Sequence, residues 1–238
     1  MIRKILALIG LPLAVVAAFY ISNRALGLIL DIIFGIIGNN SLAGNEILVS
    51  LIIQITSFVI ILTILSFLPI KTLFGINTTE PTEDNPRKHD IVLHIILAVS
   101  GFVVYFLLSM LLVSFFNNFE WFDVGEEQEM IFKTAASNLH LILSAIALLI
   151  VAPYFEEAIF RGWLYSNMRK ARVNGILAAL AVSLAFAFLH GQWNVAVDTF
   201  VLSMVACYLY EQTGSIRPAV LLHMIKNAIA FYFIFFAG

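Results

Sequence analysis

Leu139–Arg161 reads LHLILSAIALLIVAPYFEEAIFR: an apolar run from Leu139 to Phe155 passes through Pro153 straight into Glu156 and Glu157, with Arg161 four residues further on. Lipid or tight packing should exclude such groups at the end of a run this apolar. An uncompensated charge at membrane depth costs roughly 3 kcal/mol or more, so an ionisable cluster there marks a functional site by default. The rest of the chain has to explain these charges.

Working outward, 61% of the 238 residues are hydrophobic, 12% are charged, and the mean hydropathy is +0.99. Soluble globular domains do not reach this composition. Several apolar runs attain the roughly 20 residues a helix needs to cross the hydrocarbon core, and no alternating ten-residue pattern of a membrane barrel appears. The expected fold class is therefore an all-α integral membrane bundle of about seven transmembrane helices around a polar intramembrane cavity. A net charge of −2 offers no basic surface for nucleic acid. Cys207 stands alone, which excludes an intrachain disulfide and a thiolate metal cage, and it reads as a small buried apolar residue.

The first span is expected from about Ile5 to Ile21. Arg3 and Lys4 before it, with Val16-Ala17-Ala18 inside it, resemble a signal peptide, but hydrophobicity continues through to Tyr20 and Ile21, so an uncleaved span is expected. Ser22-Asn23-Arg24 interrupts the run, and Ala25 to Ile37 is too short to cross unaided. That piece is read as interfacial, re-entrant or an extension of span one. Further spans are expected at Glu46–Ile70, Ile91–Phe116, Leu139 onward to Arg172, Ile176–His190, Val195–Tyr210 and Ala219–Phe236. A polar loop covers Gly38 to Asn45, a hydrophilic connection Lys71 to Asp90, and an acidic segment holds Glu120, Asp123, Glu126, Glu127 and Glu129 against Lys133.

Lys and Arg concentrate in cytoplasmic loops. Placing Arg3/Lys4, Lys71/Arg87/Lys88, Arg169/Lys170/Arg172 and Arg217 on one side leaves the acidic segment outside and the N-terminus inside, and requires an odd number of crossings between Ile5 and Asn45. Two regions are expected: residues 1–135, with about three spans and no recognisable motif, and residues 136–238, with about four spans and the polar residues that carry chemistry.

On a helix, neighbours point about 100° apart while i and i+4 share a face, so Glu156 and Glu157 have different tasks. Glu157 is spaced to pair with Arg161 along its own helix. Glu156 has no such local partner and is left available as a general base. Downstream, His190 ends the fifth apolar run, and His223 and Asn227 place an imidazole and a carboxamide one turn apart on one face of the last span. Such groups inside an apolar helix need partners, and packing between helices would satisfy them as well as catalysis would. Helix rise puts Glu156 and His190 at similar depth and His223 shallower.

Glu156-Glu157-x-x-x-Arg161, Phe186-x-x-x-His190 and His223-x-x-x-Asn227, in this order on successive helices, resemble the motifs of the CPBP family of intramembrane proteases, which includes type II CAAX prenyl endopeptidases and bacterial Abi and bacteriocin-immunity proteins. Arg161-Gly162-Trp163 and Thr213-Gly214-Ser215-Ile216-Arg217-Pro218 are also similar to family sequence. The resemblance covers roughly Leu139 to Phe236. It implies an endopeptidase in which Glu156, assisted by His190, activates water, His223 and Asn227 form the oxyanion hole, and Glu157 with Arg161 supports the helix. It also admits a zinc form with Glu156, His190 and His223 as ligands. No His-Glu-x-x-His occurs, so the metal-free form is preferred. Lys226, inside the last motif, is expected to reach the cytoplasmic interface on its long stem.

The implied partners are membrane lipid and a peptide or protein substrate at the membrane, and the implied location is a bacterial plasma membrane. Oligomeric state is left open. A membrane protein that binds a peptide toxin without cleaving it is the competing reading. Asp31, Gln54, His94, His140 and Asp198 match no motif and are read as structural, with Asp198 the most interesting because its helix should border the site.

Overall fold

The computed structural model describes residues 2–37, 46–68, 89–120, 122 and 138–237. These form seven helices: α1 Ile2–Ile37, α2 Glu46–Phe67, α3 Ile91–Phe116, α4 Asn138–Lys170, α5 Gly175–Phe188, α6 Trp193–Thr213 and α7 Arg217–Phe236. Among the described residues, all but α5 are long and apolar enough to cross a membrane. The fold is thus the all-α, multi-pass membrane bundle that the composition calls for.

Two expectations about the spans change. Ala25–Ile37 is an extension of span one, because α1 runs unbroken through Ser22-Asn23-Arg24. The polar residues that interrupt the hydrophobicity find partners without breaking the helix. Ser57 Oγ on α2 donates to Asn23 Oδ1 at 3.0 Å, Ser22 Oγ donates to Ser57 Oγ at 3.4 Å, and the Arg24 guanidinium stands 5.7 Å from the Tyr20 ring centre. Hydrogen bonds of this kind hold helices together where no hydrophobic force between them exists. Most of the loop charges used for orientation, from Lys71 to Lys88 and from Asp123 to Lys133, lie outside the described residues, as do the loop at 38–45 and the side chain of Asp31.

The second change concerns Ile176–His190. Helix α5 ends at Phe188 and has 14 residues, a rise of about 21 Å against a hydrocarbon core of about 30 Å. The chain turns at Leu189 and His190, passes Gly191 at φ 75°, and re-enters a helix at Trp193. His190 therefore sits on a turn between two helices.

Helix ends follow local chemistry. Asp90 Oδ1 accepts from Leu93 N at 2.9 Å and starts α3, and Asn174 Oδ1 accepts from Ile176 N at 2.9 Å and starts α5. Gly214, at φ 66°, closes α6 in the left-handed conformation that glycine adopts without steric cost.

Helix α3 shows how the bundle is packed. Its buried residues are His94, Ala98, Gly101, Tyr105 and Ser109, at spacings of three and four, whereas Val92, Val99, Val103 and Leu107 are exposed. Small and polar groups face the protein and large aliphatic groups face outward. At Gly101 an added Cβ would come within 3.2 Å of Leu209 on α6, so the absence of a side chain sets the close approach of α3 and α6. Two apolar clusters result. One joins α1, α2, α4 and α5 through Val15, Phe58, Ile159, Phe160 and Val182, and the other joins α3, α6 and α7 through Ala98, Leu202, Ala206 and Leu222.

Candidate active site

The site is built on an irregular stretch of α4. Ala147–Val151 and Ala158–Tyr165 are π-helical and flank a short α-helical segment, Ala152–Glu157, that carries both glutamates. In the first π turn the amide of Ala152 donates to Ala147 O, five residues back. Continuing that register, the next amide would donate to Leu148 O, but residue 153 is proline and has none. The vacated carbonyl is taken by another helix: Asn227 Nδ2 donates to Leu148 O at 2.8 Å. Such π turns are frequent at functional sites.

Glu157 is fully buried, and its Oε1 accepts from Arg161 Nη1 at 2.9 Å. Arg161, also fully buried, donates from Nη2 to Ser203 O on α6 at 3.0 Å and lies 5.1 Å from the Phe186 ring centre. The same Glu157 Oε1 faces His223 Nδ1 at 3.1 Å. Because the carboxylate is already bound by arginine, it accepts and His223 Nδ1 donates. His223 Nε2 is then left facing the other glutamate, 3.9 Å from Glu156 Oε2. One imidazole thus bridges Glu156 and Glu157, and the arginine pair positions it.

His190 follows the same rule. Its Nδ1 lies 2.8 Å from Phe186 O, and since a carbonyl only accepts, Nδ1 carries the proton and Nε2 offers a lone pair. Phe186 itself packs edge-on against Phe160 and against the His223 ring. Glu156, His190, His223 and Asn227 come from α4, the α5–α6 turn and α7, and together line a cavity of about 210 Å³. A second cavity of about 390 Å³, walled largely by Phe19, Phe58, Phe160 and Phe186, also reaches Glu156 and His190.

The structure adds residues that local spacing does not mark. Lys226 on α7 pairs with a residue of α6. Its Nζ is 3.6 Å from Asp198 Oδ2, and it lines the smaller cavity beside the two histidines. Asp198 Oδ1 in turn accepts from Tyr105 Oη and Ser109 Oγ, both at 2.6 Å. A charge inside an apolar helix needs a counterion, and a lysine on α7 with a lone aspartate on α6 is the one signal the sequence offers for this pair. Gln54 of α2 reaches both cavities.

Among the described residues, no group of three or more His, Cys, Asp or Glu side chains is placed to hold a metal ion. The three residues of the zinc alternative, Glu156, His190 and His223, line one cavity.

Comparison with known proteins bears on this region. Residues 138–229 match the family model for type II CAAX prenyl endopeptidase Rce1-like proteins, a range that includes all seven motif residues from Glu156 to Asn227. The UPF0177 protein YaiF of Lactococcus lactis subsp. lactis (strain IL1403) is 24% identical over 178 residues, covering 73% of this chain and 76% of that protein. No solved structure matches. The motifs Glu-Glu-x-x-x-Arg, His190 and His-x-x-x-Asn thus lie in the part of the chain, residues 138–229, that is similar to the Rce1-like, type II CAAX prenyl endopeptidase family.

Proposed function

We propose that the protein is an intramembrane endopeptidase that hydrolyses a peptide bond of a membrane-associated protein or peptide, with Glu156 as general base. The observation that carries this reading is the convergence of Glu156, His190, His223 and Asn227 on one cavity, with Glu157 and Arg161 fixing His223 from behind. The family match over the same residues supports an endopeptidase of the CAAX type in general.

In this mechanism Glu156 takes a proton from a water whose oxygen attacks the carbonyl carbon, while His190 Nε2 accepts the second hydrogen of that water and orients it. The tetrahedral oxyanion receives the amide hydrogen of Asn227 that Leu148 O does not use. His223 Nδ1 is committed to Glu157, so this ring donates to the oxyanion from Nε2, and only while it carries both protons. The C–N bond then breaks as Glu156 returns its proton to the leaving nitrogen, giving an amine and a carboxylic acid, whose remaining proton passes to the amine. We propose that no metal takes part, a reading that rests on the lack of a His-Glu-x-x-His sequence.

The distribution of charge supports a plasma-membrane location with a cytoplasmic N-terminus, and the family's breadth together with the Lactococcus relative supports a bacterial setting. The test is cleavage of a pool of fluorescence-quenched peptides by the purified full chain in detergent, beside Glu156→Ala and His190→Ala. Loss of cleavage in both variants, with folding retained, is expected. Equal activity in all three proteins would overturn the roles given to Glu156 and His190, and no cleavage by a wild type that still binds peptide would favour a non-catalytic peptide-binding protein instead.

A further inference from the structure

We infer that Gln54, on α2, is a substrate-binding residue of this site, hydrogen-bonding the peptide backbone beside the scissile bond. The inference rests on the peptidase reading and extends it to a region that no motif covers. Among the described residues, the side chains that line both cavities are three: Glu156, His190 and Gln54. Two of these are the proposed base and its assistant. The third comes from α2, a helix outside the 138–229 match.

Gln54 Oε1 is buried and finds no hydrogen-bond donor among the described residues. A buried carbonyl oxygen without a partner costs about 1–3 kcal/mol, so a glutamine at this position needs a compensating use. An extended peptide supplies one. Its scissile carbonyl has to lie against Glu156, at the wall between the cavities, so the chain on either side enters one cavity or the other. The larger cavity, with Phe19, Phe58, Phe160 and Phe186, takes an apolar side chain. The smaller one, with Thr199, Lys226 and Asn227, takes a polar group. At the wall a backbone N–H next to the scissile bond meets Gln54 Oε1, and the contact is independent of the substrate's side chains. The substrate class is therefore an extended peptide with an apolar residue on one side of the cleaved bond.

The experiment uses the full chain and one quenched peptide that the wild type selects from the mixed pool, together with ester analogues in which single backbone amides flanking the cleavage point are replaced. Binding of the same peptides to the Glu156→Gln protein is read by fluorescence anisotropy. Gln54→Leu is expected to lower kcat/KM about five- to tenfold, the equivalent of one neutral hydrogen bond. It is also expected to leave thermal stability unchanged or raised, because Oε1 accepts no hydrogen bond among the described residues. The wild type should lose a similar factor on one ester analogue, and the Gln54→Leu protein should not distinguish that ester from the amide. Gln54→Met, more flexible in shape, replaces Leu if packing on α2 suffers. Wild-type cleavage by Gln54→Leu, or continued discrimination of the ester, overturns the assignment. Peptide that binds without being cleaved, but more weakly to Gln54→Leu, overturns the peptidase reading and keeps Gln54 as a peptide contact. Absence of both binding and cleavage overturns both.

Discussion

His223 Nδ1 and Glu157 Oε1 lie 3.1 Å apart across the α4–α7 interface, and this contact gives the two adjacent glutamates different roles. Glu157 faces inward to Arg161 and His223 and is wholly buried, whereas Glu156 faces the cavity. Two variants separate the roles. Glu157→Gln leaves Arg161 buried without its anion, a loss of about 3–5 kcal/mol, so a fall in thermal stability and in activity together is expected. Glu156→Gln should abolish cleavage with little change in stability. The check is thermal unfolding in detergent alongside peptide cleavage, and a Glu157→Gln protein as stable as the wild type would contradict the buried-pair account.

Lys226 and Asp198 form the second charged pair of the interior, and Asp198 also holds Tyr105 and Ser109. Truncating Lys226 to Met removes the cation from an aspartate that keeps both hydroxyl donors, while Asp198→Leu strands Lys226. Each single change should lower stability, and the double change should cost less than the sum by about 0.5–3 kcal/mol, as for residues in contact. Strict additivity in a double-mutant cycle of unfolding would show that the 3.6 Å pair contributes nothing.

Much of this site is legible in the sequence where a single helix suffices. The i, i+4 spacing of Glu157 and Arg161 is enough to bring them together, and the same spacing puts His223 and Asn227 on one face. Contacts between helices are not encoded in spacing. Nothing local joins Asp198 to Tyr105 or Gln54 to Glu156, because those pairs depend on how α2 and α3 pack against the rest. Lys226 is paired with Asp198 on another helix, a partner that its own stretch of sequence does not indicate. The fifth span is misjudged for a backbone reason: apolar composition runs on past Phe188, but the helix stops and the chain turns at Gly191.

The cofactor proposal has its own measurement. If water is activated by Glu156 and His190 alone, cleavage should be unchanged after treatment with a strong zinc chelator, and metal analysis of the active preparation should find no stoichiometric zinc. Stoichiometric zinc whose removal abolishes cleavage, and whose return restores it, would replace the carboxylate mechanism by one in which Glu156, His190 and His223 are ligands.

Pro153 and Asn227 are linked through one carbonyl. Because residue 153 has no amide hydrogen, Leu148 O accepts from Asn227 Nδ2 at 2.8 Å, and this bond orients the carboxamide whose other hydrogen is proposed to meet the oxyanion. Pro153→Ala restores a backbone donor in the register of the π turn, so it competes with Asn227 for Leu148 O while removing a helix-disfavouring residue. The expected result is a protein at least as stable as the wild type but with a lower kcat and a nearly unchanged KM. Asn227→Ala removes the donor altogether and should reduce kcat by about 10²–10³, the usual effect of deleting one oxyanion donor. It also strands Leu148 O, and adding Pro153→Ala to it should restore stability without restoring activity, since the carbonyl regains a donor and the oxyanion does not. Recovery of activity in that double variant would mean that Asn227 serves only to satisfy Leu148 O.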